Sequence, residues 1–580
     1  MLVITNNDIR RFIEEEQTQV KKEIESNKKL SIEKKVLAGR AIVGVKYDSS
    51  YSESYNNYGL FRFIIEKNQS SLDVGDSVLV NEIEGTLWNY DYFGNLIIGF
   101  WGRAGIPFNC FVDDDIIVEK NDSNFLAPLY QRFLSSLPKE TNSFWNENVI
   151  PSRKSVVYDG EIGPWKQSLI SIERKLGIQL LDSQRDAVAH ALAASNYYML
   201  QGPPGTGKTF IIALIAIIHA FFLNERVCVA GPNYMAINNA LVKIGEMLPN
   251  CIDRIIKVGY PFQTAGLTFK SGNETLSIEN YDGKLDISQI NELKNLVMGM
   301  TPYTFYSSRA ADITFDTVIL DESGQMSIPV AMMAILNCKK FILCGDHKQL
   351  TPIIRAENIV EPLKQSIFKY MLNEDNCSLL DVSFRMNESI CRIVSDLFYE
   401  GKLKSYNPES RLVVDVSDAF LSGDNSVVAK NISSTGKFAS TAEADEIDSI
   451  IRAYYGANIE ARLIGVLAPF RAQCSTIRRK LFADEDIPDT YKKEIVVDTI
   501  DKLQGQERDI IILSLTSGDI DYINKFCDFL YNPNKLNVAI SRAKSKLIVL
   551  GNFDVIRTMS GYEDSYIKKF LDHSECVLID

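Results

Sequence analysis

The sequence predicts an α/β fold: two tandem parallel-sheet domains, preceded by a helical segment and a small β-barrel-like accessory module. Two observations carry this reading. From about residue 166 onward, short continuous apolar runs alternate with helical stretches, the pattern of strands buried on both faces under helices. Between 40 and 125 the pattern changes to short β-rich runs separated by Asn, Asp, Gly and Ser.

Residues 1–39 are charged, with apolar positions at helical spacing, and read as the helical segment. In the 40–125 module the strands are "RAIVGVK", "LFRFIIE", "GDSVLVN", "NLIIGFW" and "DIIVE", with "YDSSYSESYNNYG" as a polar loop. The acids of "VDDDIIVEK" suit a turn before a strand better than a metal site. Residues 126–165 read as a linker containing Pro and Ser. The first α/β domain, 166–357, holds "YYMLQ", "RVCVAG", "TVILDE" and "FILCGD", with a small polar insertion at about 262–295. The second, 358–580, holds "RLVVDV", "LIGVLAP", "EIVVDT", "DIIILSL" and "KLIVLGN".

Composition narrows the function classes. With 46% hydrophobic and 24% charged residues the chain is ordinary globular protein, able to bury several cores. The formal charge of −13 excludes a bulk electrostatic grip on nucleic acid but allows a local basic groove. Ten scattered cysteines without a C-x-x-C pair, and four histidines, give no zinc or iron–sulfur spacing. The opening "MLVITNNDIRRFIEEEQ" lacks a basic segment followed by an apolar one, so no secretory leader is expected. The apolar run at 210–223 is 14 residues long, short of the roughly 20 that a membrane span needs. A reduced, cytoplasmic protein is the expectation.

"YYMLQGPPGTGKTF" reads as strand, glycine-rich loop and helix, and Gly202 to Thr209 match G-x-x-x-x-G-K-[ST] in full. The loop Gly202, Pro203, Pro204, Gly205, Thr206 and Gly207 is expected to curl at a helix N-terminus so that the N–H groups of its non-proline residues cradle phosphate. Lys208 then reaches the β- and γ-phosphates and Thr209 ligates Mg²⁺. Such a loop needs an acid at the end of a neighbouring strand. "FDTVILDESGQMS" supplies two: Asp321 for the Mg²⁺ shell and Glu322 to orient and deprotonate an attacking water. ATP with Mg²⁺ is the expected ligand and hydrolysis the expected chemistry.

From about 175 to 555, two thirds of the chain, the sequence resembles the superfamily 1 helicases, in the branch containing the nonsense-mediated-decay RNA helicase and senataxin. The resemblance rests on ordered motifs: "LDSQRDAV", "GPPGTGKT", "VAGPNYMAINNAL", "DESGQ", "GDHKQLTP", "SFRMNESI", "IGVLAPFRAQ", "VDTIDKLQGQERDIIILSL" and "LNVAISRAK". Ser323 stands where that branch more usually has alanine. The resemblance implies that both α/β domains are RecA-like. It implies that Gln184 reads an adenine edge, Gln349 senses the γ-phosphate, Phe384 stacks on adenine, and Arg385 and Arg542 are arginine fingers. Gln504, Gly505 and Glu507 then lie at the nucleotide cleft, while Pro232, Asn233, Arg471 and Thr499 face the nucleic acid. His347 is read as facing solvent, and Arg478, Arg479 and Lys480 as either strand-facing charge or a solvated helix face.

The barrel-like module resembles the family's strand-touching insertion loosely, and the 262–295 insertion its second accessory element. The implied function is an ATP-dependent helicase or translocase on single-stranded RNA or DNA, moving 5′ to 3′. The alternative is a clamp whose ATP hydrolysis resets affinity without unwinding. Protein partners are not legible in the sequence; the N-terminal region is where contacts with one would fall.

Overall fold

The computed structural model describes residues 4–65, 70, 72–91, 94–103, 115–137, 155–373, 375–409, 420–502 and 506–579. The expected strand "RLVVDV" (411–416), most of the acids of "VDDDIIVEK", the middle of the expected linker, Gln504 and Gly505 lie outside them. Among the described residues no helix is long and apolar enough to cross a membrane.

The helix Asn6–Lys28 begins with a capping box: the Asp8 N–H donates to Thr5 Oγ1 (3.2 Å) and the Thr5 N–H donates to Asp8 Oδ2 (2.8 Å). Its apolar stripe, Ile9, Phe12 and Ile13, shares a core with the first α/β domain. Glu16 Oε2 accepts the N–H groups of Arg355 and Ala356, both at 2.9 Å. Glu15 Oε1 accepts those of Glu357 (3.0 Å) and Asn358 (2.9 Å). The segment is therefore docked onto the first domain. The expected linker is also partly structural, because it contributes the helix Ala127–Ser136 and the start of the helix Asp159–Leu176. Tyr130 and Phe133 of the former are buried against the first domain.

Six strands close into an antiparallel barrel: β1 (Ala41–Tyr55), β2 (Tyr58–Ile64), β3 (Ser77–Val80), β4 (Ile83–Tyr90), β5 (Leu96–Trp101) and β6 (Ile116–Lys120). The order around it is β1-β2-β5-β4-β3-β6, which leaves no free edge. Phe61, Phe63, Leu87, Ile98 and Phe100 fill its interior. Trp88 on β4 meets Phe262 of the first domain, rings 5.7 Å apart, and Lys502 of the second domain reaches Asp73 at 2.6 Å. The barrel thus touches both α/β domains.

The chain then lays down β7 (Tyr197–Gln201), β8 (Arg226–Ala230), β9 (Ile255–Val258) and a hairpin of β10 (Thr268–Ser271) and β11 (Glu274–Ser277). β12 (Glu279–Tyr281), β13 (Leu296–Met300), β14 (Phe315–Leu320), β15 (Cys338–Gly345) and β16 (Cys377–Leu379) follow. All but the hairpin form one parallel sheet, ordered β12-β9-β13-β8-β14-β15-β7-β16. Its central strands are buried throughout, which is why they read as continuous apolar runs. The 262–295 insertion is only partly an insertion. Its hairpin packs Phe269 on Gly245 of the helix Tyr234–Met247, but β12 extends the main sheet.

Past the expected boundary at 357/358 the chain still contributes to the first domain. The helix Ile367–Met371 is buried in the first domain's core and β16 pairs with β7. A three-residue strand carries no periodicity, so the sequence pattern could not assign it. A short pair, β17 (Val382–Ser383) and β18 (Lys404–Ser405), leads into β19 (Val427–Asn431), β20 (Ile464–Ala468), β21 (Val496–Thr499), β22 (Arg508–Ser514), β23 (Ala543–Gly551) and β24 (Cys576–Ile579). β19 to β24 form a second parallel sheet, ordered β21-β20-β22-β23-β19-β24. Strands β19 and β24 were not among those expected.

Beneath one end of β22 lies a buried acid. Glu443 Oε2 accepts the Ser514 hydroxyl (2.6 Å) and the Thr516 N–H (3.0 Å), and this bond helps hold Thr516 at a left-handed φ of 71°. Burial pushes the Glu443 carboxyl from 4.5 up to about 7, against both hydrogen bonds. The folded chain therefore keeps a proton that the unfolded chain has already released. This contribution is complete below the unfolded value and is lost as pH rises through about 7; it is worth about 3 kcal/mol. The melting temperature is expected to fall between about pH 5 and about pH 8, and to fall less in Glu443→Gln. Equal declines in the two proteins would refute the assignment.

Candidate active site

β7 runs into the loop Gly202–Gly207 and then the helix Lys208–Ile217. Gly205 and Gly207 have left-handed φ values of 75° and 79°. A Cβ on Gly205 would collide with the Cβ of Arg385, because the chain entering the second domain lies directly on this loop. Ser383 Oγ donates to the Pro204 carbonyl (2.9 Å) and the Phe384 N–H to that of Gly205 (2.8 Å). That seating brings Phe384 and Arg385 to the phosphate loop.

Asp321 and Glu322 follow β14, two strands away from β7 in the sheet. Lys208 Nζ lies 3.0 Å from Asp321 Oδ1 and 2.5 Å from Glu322 Oε1. Glu322 sits at a φ of 52°, a strained backbone for glutamate, and donates its N–H to Asp321 Oδ1 (2.7 Å). Gln325 Nε2 donates to Glu322 Oε2 (2.8 Å). Burial opposes the charge on Lys208, but the two carboxylates outweigh it and hold its pKa above the ordinary value. Burial also opposes ionisation of Glu322, yet Lys208 and Gln325 hold it below the usual range. Asp321 is deeper, only 2% exposed, and burial raises it despite Lys208. The environments push the two carboxyls apart and leave Glu322 the more readily ionised.

Gln349, buried, donates Nε2 to Asp346 Oδ2 (2.9 Å), and Gln201 Nε2 donates to Asp346 Oδ1 (3.1 Å). From the second domain, Arg385 Nε donates to Glu507 Oε2 (2.5 Å), and a guanidinium nitrogen donates to the Ser541 carbonyl (3.0 Å). Arg542 is 2% exposed and donates to the carbonyls of Val538 (3.1 Å) and Gln506 (3.0 Å). Burial, with Arg385 alongside, pushes its pKa down to about 9, so it stays charged at neutral pH. Lys208, Asp321, Glu322, Gln349, Arg385 and Arg542 line one cavity of about 630 Å³ that also takes in Thr209, Asn233 and the loop Gly202–Gly207.

The other expected residues are placed as follows. Gln184 is buried, accepting the Leu181 N–H (3.1 Å) and donating to the Thr206 carbonyl (3.4 Å), so its amide is engaged with the phosphate loop. Phe384 is half exposed against Tyr406, rings 4.6 Å apart. Pro232 and Asn233 follow β8, Thr499 ends β21 and Arg471 follows β20, so all four lie at carboxyl ends of strands, where open α/β sheets bind ligands. His347 does not face solvent. It is half-buried and stacked on Phe368, and burial lowers its pKa. Arg478 donates to the Val497 carbonyl and Lys480 pairs with Asp445 at 2.7 Å, so these two serve their own domain. Sequence reasoning passed over Gln325, Tyr406, Asn534 and an aromatic cluster beside Arg471 formed by Phe438, Phe470, Tyr522 and Phe529. Only the amphipathic spacing of Tyr522, Phe526 and Phe529 could have hinted at that cluster.

One AAA-domain family model matches residues 179–283 and 301–357, and a second matches 363–554. The regulator of nonsense transcripts 1 homolog of Neurospora crassa is 25% identical over 70% of this chain and 40% of its own length. The DNA polymerase alpha-associated DNA helicase A of Saccharomyces cerevisiae is 26% identical over 71% of this chain and 70% of its own. The ATP-dependent helicase NAM7 of the same yeast is 26% identical over 64% of this chain and 42% of its own. The chain thus spans less than half the length of two of these three relatives. The two models follow one another across both parallel sheets, and the relatives align through both: the chain belongs to the superfamily 1 helicases, in the branch of the nonsense-mediated-decay helicase.

Proposed function

We propose that this chain is an ATP-dependent helicase or translocase on single-stranded nucleic acid, hydrolysing ATP in the cleft between its two α/β domains. The observation that carries the reading is the shared cavity: Lys208, Asp321 and Glu322 from the first domain face Arg385 and Arg542 from the second. A site completed by two domains makes turnover depend on their closure.

Lys208 is held by acids that a triphosphate would replace as its partner. Thr209 and Asp321 offer hard oxygen donors suited to Mg²⁺, and the Lys208 ammonium 3.0 Å from Asp321 shows that this carboxylate accepts a cation there. Held by these two residues, Mg²⁺ would supply charge neutralisation to the phosphoryl transfer. Glu322, kept oriented by Gln325, takes the proton of the attacking water at a carboxylate oxygen. Gln349 contacts the γ-phosphate, and Arg385 and Arg542 turn from Glu507 and the backbone carbonyls to stabilise the transferring phosphoryl. Phe384 and Gln184 flank the adenine.

The strand lies across the carboxyl ends of both sheets, past Pro232, Asn233, Thr499 and Arg471, under the barrel. Its polarity is 5′ to 3′, as the family branch implies. The chain's setting is reduced and cytoplasmic in this reading. ATPase rates without polymer, with single-stranded RNA and with single-stranded DNA test the reading. Strong stimulation by one polymer is expected and identifies the track; no stimulation by either sinks the strand-binding reading. A strand-displacement assay separates unwinding from clamping.

A further inference from the structure

The loop 345–352, "GDHKQLTP", leaves β15 and carries Gln349, and its far side is stitched to the second domain. Asp346 is 3% exposed, and its Oδ2 accepts both the Gln349 amide and the hydroxyl of Tyr399. Tyr399, itself buried, caps the helix Glu388–Phe398, and its hydroxyl accepts the Asn537 side-chain amide at 2.9 Å. Asn537 also donates to the Lys348 carbonyl (2.7 Å), and Asn534 to that of Gln349 (2.5 Å). Both asparagines sit on the helix Pro533–Ile540, which ends two residues before Arg542, and Leu350 packs into the second domain's core.

We infer that Tyr399 and Asn537 are positioning residues that transmit the position of Gln349 to the helix that leads into Arg542. The inference rests on the ATPase reading above. A γ-phosphate that draws the Gln349 amide away leaves Asp346 Oδ2 with Tyr399 as its donor from the second domain. The loop's shift then passes through Asp346, Tyr399 and Asn537 to the helix Pro533–Ile540, and Arg542 enters the cleft in step with γ-phosphate binding. Buried polar links of this kind have discrete partners and transmit small displacements.

Tyr399→Phe removes one oxygen and keeps the ring. It is expected to lower the kcat of the strand-stimulated ATPase about tenfold, the scale of a hydrogen bond to a buried charge, with KM for ATP within about twofold. The deciding readout is the Gln349→Ala background. There Tyr399→Phe is expected to cause no further loss, because the signal it relays is already gone. An equal additional loss in that background, or no loss in the wild type, overturns the inference. Asn537→Ala, read against the same background, repeats the test from the other end of the link should Tyr399→Phe fold poorly. A wild-type protein whose ATPase ignores single strands refutes the function proposed above, and is separate from either result.

Discussion

Glu322→Gln is expected to abolish ATP turnover while leaving ATP bound. Glutamine keeps the shape of the side chain, and its carbonyl oxygen still accepts a hydrogen bond from Gln325 or Lys208. What it removes is the proton acceptor. General-base catalysis of this kind contributes about 10²–10⁴ in rate, so kcat should fall by at least about a hundredfold. Affinity should hold or rise, because one of the two carboxylates that restrain Lys208 loses its charge and the lysine is freer to meet phosphate. Single-turnover hydrolysis and the Kd of a fluorescent ATP analogue check both halves. A variant that turns over at the wild-type rate would place the base elsewhere, with Asp321 the next carboxylate to test. A variant that loses nucleotide affinity along with kcat would make Glu322 a structural support of the phosphate loop.

The largest loss is expected at Arg542. A finger that stabilises the transferring phosphoryl is worth about 10³–10⁵ in rate. Alanine there would take the guanidinium donor away from two backbone carbonyls, those of Val538 and Gln506, in a buried site, so lost activity could reflect lost packing. Arg542→Lys is the sharper variant. It keeps a long basic side chain but loses the planar fork that donates to two carbonyls at once. Burial and Arg385 already depress the arginine to about 9, and a lysine at that position would be pushed towards neutrality. Arg542→Lys should therefore lose about 10³ in kcat at neutral pH with strand affinity intact. Wild-type turnover in this variant would remove Arg542 from the reaction and leave Arg385 as the second domain's contribution.

The phosphate loop, the acids after "TVIL" and the order of the motifs were legible in the sequence because each is a local device. Gly202 to Thr209 need only neighbouring dihedral angles and a helix start to form, and Asp321 and Glu322 need only the end of a buried strand. The alternation of apolar runs with helices likewise named two parallel sheets, since full burial imposes that pattern residue by residue. A small barrel or sheet module was legible from short β-rich runs in the same way, although its closure and the contacts of Trp88 and Asp73 with the two α/β domains were not.

Tertiary structure alone decided which distant groups meet. β16 has three residues, too few for any period, and it belongs to the first sheet only because β7 offers it an edge. Glu15 and Glu16 look like ordinary solvated helix acids until the loop 355–358 turns its N–H groups towards them. Asp346, Tyr399 and Asn537 lie far apart in sequence and form one hydrogen-bonded link only when the two domains face each other. Spacing along a chain reports periodicity within one element; it carries no record of which other element will supply the partner. The chemistry of the ATP site was therefore written locally, and its completion by Arg385 and Arg542 from the second domain was implied by the family resemblance. The hydrogen-bonded link between the domains became visible only in the folded chain.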